Sequence, residues 1–296
     1  MIPVTVILNP ISGGRRPADV PAQAEQVAAL AASRGVEARV IVTEGAGHAR
    51  ELAAAAAARG ESLVIAWGGD GTVNEVASAL VFSAVSLGIL PAGSGNGLAR
   101  DLGLPTTAQA ALLTALEGRC RTIDAGDVDG RFFFNVAGIG LDADVAHRFA
   151  ANGLSRGFRG YVMAGMQALT AFEPVPCRVV VDDVARATRP LLVALANSRQ
   201  YGSGALIAPA ARLDDGLLDV VTVEYRPLGA TLRRLPSLFS GRIASVPGVH
   251  CRTGRDIVIS AECPLRYHLD GEPLQGGSEL RARVHPGALR VQVPAG

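Results

Sequence analysis

The sequence predicts two architectures in one chain: a parallel α/β sheet over roughly the first 120 residues, then a mostly antiparallel β half. Three observations predict this. Short apolar runs alternate with alanine-rich helical stretches as far as Glu117, the pattern of a parallel sheet with crossover helices. Those runs are apolar at successive positions, as strands covered on both faces must be. After Thr122 the alternation stops, and Asp127-Val128-Asp129-Gly130 reads as a hairpin turn that opens a series of strand-like runs.

The elements follow in order. Val4–Leu8 reads as a strand, Asp19–Ser33 as a helix closed by Gly35, and Ala38–Val42 as the next strand. His48–Arg59 is a helix closed by Gly60, and its alanine run Ala53–Ala58 is helix-forming sequence. Leu63–Ala66 is a strand, Val73–Leu80 a helix, Leu87–Leu90 a strand and Thr107–Glu117 a helix. Beyond a boundary near residue 125, strands are expected at Arg131–Ala137, Cys177–Val181, Leu191–Ala196, Leu218–Val223, Asp256–Ser260, Leu265–Leu269 and Leu280–Val284. Helices are expected at Tyr161–Phe172 and Leu228–Phe239.

Composition narrows the chemistry. The 28 cationic residues of this 296-residue chain are all arginine, because the sequence contains no lysine. A Walker-A loop, a protein-kinase fold and a pyridoxal Schiff base each need a lysine and are excluded. A net charge of +1 leaves no electrostatic footprint for nucleic acid. Cys120, Cys177, Cys251 and Cys263 include no CxxC pair, so reduced thiols are expected and zinc is not. The start MIPVTVILNP reads as a core strand without the basic region of a signal peptide. Val76–Gly93 carries no charge over 18 residues, but Ser78, Ser83, Ser86 and Gly88 interrupt it, so a buried helix–loop–strand is read in place of a membrane span. The expected location is cytoplasmic.

Glycine-rich loops follow three of the parallel strands, where ligands of open α/β sheets bind. They are Asn9-Pro10-Ile11-Ser12-Gly13-Gly14-Arg15-Arg16, Gly68-Gly69-Asp70-Gly71-Thr72-Val73-Asn74-Glu75 and Pro91-Ala92-Gly93-Ser94-Gly95-Asn96-Gly97. Small residues let backbone approach a ligand, and helix N-termini beyond them favour phosphate. Turns alone use glycine, but three such loops on one sheet point to a nucleotide. Candidate contacts are Asn9, Ser12, Gly13, Gly68, Gly69, Asp70, Gly71, Thr72, Asn74, Ser94, Gly95 and Asn96. Asp70 would repel phosphate unless Mg²⁺ lies between them; a helix-capping role is the alternative. Arg15 and Arg16 either supply the cation that lysine supplies elsewhere or are solvated.

Late in the chain, Leu269-Asp270-Gly271-Glu272-Pro273 sets two carboxylates about a glycine. Glu272 suits a proton acceptor, with Asp270 orienting it or the metal; a hairpin turn is the plainer reading. Asp214, Asp215 and Asp219 form either an acidic turn or a cation site helped by carbonyls. Gly138-Ile139-Gly140-Leu141-Asp142-Ala143 mimics a dinucleotide fingerprint but has no βαβ unit around it and is discounted. His268 is read as structural.

Together these motifs resemble the bacterial lipid kinases related to diacylglycerol kinases and, more distantly, to sphingosine and ceramide kinases. The matching segments are residues 9–14, 68–80, 90–105, 138–145, 208–220 and 269–273, in the family's order and over almost the whole chain. The contiguous GGDGTVNEV is specific; GGDGT alone is shared with NAD kinases. The resemblance implies an N-terminal Rossmann-like α/β ATP-binding domain (1–124, joined by 287–296), a C-terminal antiparallel β-sandwich lipid-substrate domain (125–286), and an active site in the cleft between them. It implies ATP contacts at Thr43, at Gly68 through Asn74 and at Ser94, with Glu272 as proton acceptor beside Asp270. It implies a structural Mg²⁺ on the Asp215 side chain and the Arg212 and Leu217 carbonyls. One departure concerns the acceptor: many diacylglycerol-type members read GT-small-N-D where this chain has Gly93-Ser94-Gly95-Asn96-Gly97, closer to the sphingosine-kinase branch.

The expected function is therefore an ATP-dependent lipid kinase acting on diacylglycerol or a related glycerolipid or sphingoid acceptor. Asp70, Asp270 and Glu272 are its catalytic carboxylates. ATP and a membrane lipid are the expected partners, with Mg²⁺ and a transient contact at the inner membrane face. Residues 148–172, with Arg148, Arg156 and Arg159 among Phe149, Phe158 and Tyr161, read either as a docking surface or as an ordinary amphipathic helix. A homodimer stays open. The rivals are a soluble-substrate kinase of the NAD kinase type and a nucleotide-binding regulator without turnover.

Overall fold

The computed structural model describes residues 2–151, 172–202 and 204–295. The expected helix Tyr161–Phe172, save its last residue, and most of the expected docking stretch 148–172 lie outside them. The chain divides into two compact units, Met1–Ile123 with Gly287–Gly296, and Asp124–Pro286.

The first unit runs β1 (Ile2–Leu8), α1 (Val20–Ala32), β2 (Val36–Val42), α2 (His48–Ala58), β3 (Leu63–Gly68), α3 (Asp70–Leu80), β4 (Ser86–Pro91), α4 (Gly97–Asp101) and α5 (Ala108–Glu117). Its strands are parallel in the order β2-β1-β3-β4. The end of the chain's last strand adds beside β4, with Arg290 opposite Ser86, also parallel. Every residue of β3 is buried, which explains why its sequence shows no polar alternation. Val4, Val6 and Leu8 of β1, with Leu63, Ile65 and Trp67 of β3, share one face and pack on Val27 of α1 and Leu112 and Ala115 of α5. On the other helix pair, α3 buries Val73, Val76, Ala77 and Leu80, one helical stripe. The buried face of α2 is Ala49, Ala53 and Ala56, small enough for α2 to lie close against α3.

The second unit begins within β5 (Arg119–Val128) and continues β6 (Arg131–Phe133), β7 (Val136–Gly140), α6 (Leu141–Ala151), β8 (Cys177–Val181), β9 (Val184–Thr188), β10 (Pro190–Ala196), β11 (Gln200–Gly202) and β12 (Ala205–Leu206). It ends with β13 (Leu218–Glu224), α7 (Leu228–Phe239), β14 (Val249–Gly254), β15 (Asp256–Ala261), β16 (Arg266–Leu269), β17 (Glu272–Gln275) and the first part of β18 (Glu279–Val293). One antiparallel sheet has the order β14-β13-β10-β7-β16-β17; the other carries β18, β15, β8 and β9. Alternate residues of the two meet in one core: Ile139, Val193, Leu195, Val220 and Tyr267 from the first, and Val179, Ile257, Ile259, Leu280 and Ala282 from the second. The unit is an antiparallel β-sandwich.

One expectation needs correcting. The strand expected over Arg131–Ala137 is two strands, because the amides of Phe134, Asn135 and Val136 turn away from any ladder to bind the Asp270 carboxylate. The discounted Gly138–Ala143 stretch is an ordered β7-to-α6 connection, and α6 packs on β16 and β17. Among the described residues no helix is long and apolar enough to cross a membrane.

Leu112 is fully buried between α5 and the sheet. Leu112→Ala is expected to destabilise the first unit by about 2–5 kcal/mol through lost transfer energy and a residual cavity, measured by urea unfolding.

Candidate active site

The three glycine loops of the first unit are fastened to the start of α3. Asn9 donates its Nδ2–H to Thr72 Oγ1 at 2.9 Å, tying the loop after β1 to the first turn of α3. Asp70 receives the Asn96 amide on Oδ2 and the Gly97 amide on Oδ1, both at 2.8 Å, tying down the loop after β4. Glu75 receives the amides of Gly47 and Ala49 at 3.0 and 3.1 Å, tying the turn that opens α2. The residues of GGDGTVNEV are thus spaced to reach three different strand ends from one helix.

Each loop is also closed on itself. Asn96 holds a left-handed φ of +50°, accepts the Gly93 amide at 2.8 Å and donates back to the Gly93 carbonyl at 2.7 Å. Gly69 and Gly93 meet backbone to backbone; a Cβ on Gly93 would stand 2.7 Å from the Gly69 Cα, so no side chain fits there. Gly13 and Gly14 both have positive φ, +67° and +68°, which turns the Ser12–Gly14 backbone tightly. Thr43 is nearly buried and extends the β1–β2 pairing through its amide to Leu8.

The structure therefore brings together Asn9, Ser12, Gly13, Gly68, Gly69, Asp70, Gly71, Thr72, Ser94, Gly95 and Asn96 at the carboxyl ends of β1, β3 and β4. Asn74, one turn into α3, accepts from Ser78 at 3.3 Å. Asp70 does cap a helix, but the helix is α4 and not its own. Arg15 stacks on Trp67 at 4.7 Å and donates to the Asn9 carbonyl at 2.9 Å. Burial lowers its pKa. Its charge braces the loop, while Arg16 is exposed.

In the second unit, Asp270 and Gly271 form a two-residue hairpin between β16 and β17, with φ of +49° and +90°. Asp270 Oδ1 accepts the Asn135 and Val136 amides at 2.9 and 3.0 Å, and Oδ2 accepts that of Phe134 at 3.0 Å. Glu272 is exposed at the start of β17, opposite Leu269. Sequence reasoning missed what lies beneath. Asp142 Oδ2 accepts from the Tyr201 hydroxyl at 2.6 Å and lies 3.1 Å from His268 Nε2, while His268 Nδ1 accepts the Gly271 amide at 3.3 Å. The only sequence signal was the alternation of His268 and Asp270, which cannot reveal Asp142 or Tyr201, distant in the chain.

The acidic loop is a third feature. Asp215 Oδ1 accepts the Leu217 amide at 3.1 Å, and the buried Asp124 accepts the Gly216 amide at 2.7 Å. Arg212 pairs with Asp214 at 3.6 Å at the surface. Asp219 is pushed up to about 6, by burial first and then by the charge of Asp215. No cluster of three or more His, Cys, Asp or Glu side chains suited to a metal occurs among the described residues, so a cation here would need backbone carbonyls as well.

Residues 3–128 match the diacylglycerol kinase catalytic domain, and residues 135–293 match the YegS C-terminal NAD kinase β-sandwich-like domain. The chain belongs to the diacylglycerol kinase-like lipid kinase family. It is 35% identical to a diacylglycerol kinase of Mycobacterium tuberculosis (strain CDC 1551 / Oshkosh) across 98% of this chain and 95% of that protein. It is 38% identical to a protein of Pseudomonas aeruginosa PAO1 named probable lipid kinase YegS-like, across 91% of this chain and 89% of that one. A crystal structure of a diacylglycerol kinase from Bacillus anthracis str. Sterne shares the fold, with a TM-score of 0.72 at 22% identity over 99% of this chain and 97% of the other. Members of this lipid kinase family transfer phosphate to an alcohol, and ATP is the co-substrate that the kinase family implies.

Two outcomes follow. Glu75→Ala leaves the Gly47 and Ala49 amides without their carboxylate and is expected to lower stability by about 1–3 kcal/mol in urea titrations. Asp219 binds its proton more tightly folded than unfolded, so from about pH 4 to pH 6 stability falls as pH rises, and the deficit is fully present above pH 6. In EDTA, Asp219→Asn is expected to raise the Tm at pH 7.5 and to leave it nearly unchanged at pH 4.

Proposed function

We propose that this kinase transfers the γ-phosphoryl group of ATP to a hydroxyl of a membrane lipid, diacylglycerol or a related glycerolipid or sphingoid acceptor. The observation that carries this reading is the division of labour in the Asp270-Gly271-Glu272 turn. Asp270 is committed to three backbone amides, which leaves the exposed Glu272 as the carboxylate of the turn able to meet a substrate hydroxyl. Glu272 takes the hydroxyl proton as the oxygen bonds to the γ-phosphorus. The bond from that phosphorus to the β–γ bridging oxygen breaks, and ADP departs.

Spreading negative charge needs donors already in place. Amides of Gly13, Gly69, Gly71 and Gly95 supply them, joined by the positive end of α3. Asn9, Thr43, Gly68, Thr72, Asn74 and Asn96 line the same nucleotide cradle. Asp70 keeps the cradle closed through Asn96 and Gly97, and its carboxylate would help hold a Mg²⁺ that neutralises phosphate charge. A second Mg²⁺ suits the Asp215 carboxylate with the Arg212 and Leu217 carbonyls, an all-oxygen set of the kind this cation prefers. Bound Mg²⁺ would supply charge neutralisation. The acceptor resides in a bilayer, so the enzyme works in transient contact with a membrane surface.

The test is [γ-³²P]ATP with a total-lipid extract in detergent mixed micelles and identification of the labelled product. A labelled lipid is expected, and Glu272→Gln is expected to cut labelling by about 10²–10⁴-fold with nucleotide binding retained. Labelling of NAD but of no lipid overturns the acceptor class, and undiminished labelling by the Glu272→Gln variant overturns the mechanism.

A further inference from the structure

Beneath the Asp-Gly-Glu turn sits a buried polar network that the phosphoryl chemistry above does not use. Asp142 and His268 are 7% and 4% exposed. Burying such groups is unfavourable unless each is bonded, and here each is. The Gly271 amide can only donate, so His268 Nδ1 must accept, which places the imidazole proton on Nε2, facing Asp142. Asp142 Oδ2 then receives both that proton and the Tyr201 hydroxyl, and Oδ1 receives the Ala143 amide at 2.8 Å. The tautomer of His268 is thereby fixed from both sides.

The fold makes room for this network at one position. His268 of β16 lies opposite Gly138 of β7 in the sheet. A Cβ on Gly138 would collide with the Asp142 carboxylate and stand 2.8 Å from His268 Nε2. The glycine that mimicked a nucleotide fingerprint is therefore the space that the pair occupies. From the other side, Asp270 is held by three amides and its own amide donates to the Val136 carbonyl at 3.0 Å. Gly271, the residue joined to Glu272, has the His268 ring as its amide's partner.

We propose that Asp142, His268 and Tyr201 are positioning residues for the kinase reaction: Tyr201 and Asp142 set the imidazole, the imidazole holds the Gly271 amide, and that bond aims Glu272 at the acceptor hydroxyl. This rests on Glu272 being the proton acceptor. The carboxylate itself is exposed and starts a short strand, so the turn's backbone is what fixes its direction.

The test uses the full chain with [γ-³²P]ATP and a total-lipid extract in mixed micelles. His268→Gln keeps a donor toward Asp142 but offers no acceptor where Nδ1 stood. It is expected to lower kcat about 10–100-fold, the scale of a misplaced reacting group, with KM for ATP within about twofold of the parent. His268→Asn, whose amide oxygen can stand near the Nδ1 position, is expected to recover part of the loss. Tyr201→Phe, which keeps the ring, is expected to lose less than His268→Gln and carries the same criterion should that variant not fold. In a Glu272→Gln background none of these substitutions should lower the residual rate further. Hydrogen exchange of the Gly271 amide should quicken in the His268→Gln or Tyr201→Phe protein, whatever the acceptor lipid. Unchanged kcat in the folded variants, an undiminished loss in the Glu272→Gln background, or unchanged Gly271 exchange overturns the network. A Glu272→Gln protein of parental activity overturns the proton-acceptor reading instead, and the exchange result still decides whether the network holds the turn.

Discussion

The first unit depends on the opening turns of α3, which fasten three loops with three side chains. Asp70 holds the Asn96 and Gly97 amides, Thr72 holds Asn9, and Glu75 holds the turn before α2. Charge-assisted bonds to backbone amides are short and directional, so they set loop geometry more firmly than the glycine-rich loops could set it themselves. Flexible loops would lose binding energy to ordering each time a nucleotide arrived; loops already fastened do not. A helix that also offers its positive end to phosphate thus builds the cradle around itself.

The second unit uses the same device on another scale. Asp270 collects three amides from the Phe134–Val136 segment, and Asp124 collects the Gly216 amide of the acidic loop. In each case a carboxylate organises irregular backbone that no strand ladder can satisfy. The absence of lysine fits this economy of charge. In the proposed reaction phosphate would fall to backbone donors and metal, and Arg15, which could have replaced lysine there, is turned onto Trp67 to brace the loop.

Much of this was legible in the residues. The β1-to-α5 alternation is local and periodic, so the elements of the first unit could be read directly. The glycine loops showed themselves because small residues cluster where chain direction reverses beside a sheet. The Asp-Gly hairpin carried its own turn chemistry. The break between β6 and β7 was not legible, since the carboxylate that causes it lies 134 to 136 residues further on. Nor was α6, because the Gly138–Ala143 stretch that leads into it lies among strand-like runs with no βαβ unit around it. The pairing of Asp142 with His268 and Tyr201 left no local trace either: it is set by strand register, not by spacing.

The sequence by itself determined the fold class, the glycine loops and the carboxylates available for chemistry, because periodicity, turn chemistry and side-chain type are properties of neighbouring residues. Tertiary structure alone decided which carboxylates are committed. Asp70, Glu75, Asp124 and Asp270 hold backbone, Asp142 holds a histidine, and Glu272 stays exposed. That division depends on which amides arrive within about 3 Å of each carboxylate, and only the pairing of distant segments brings them there.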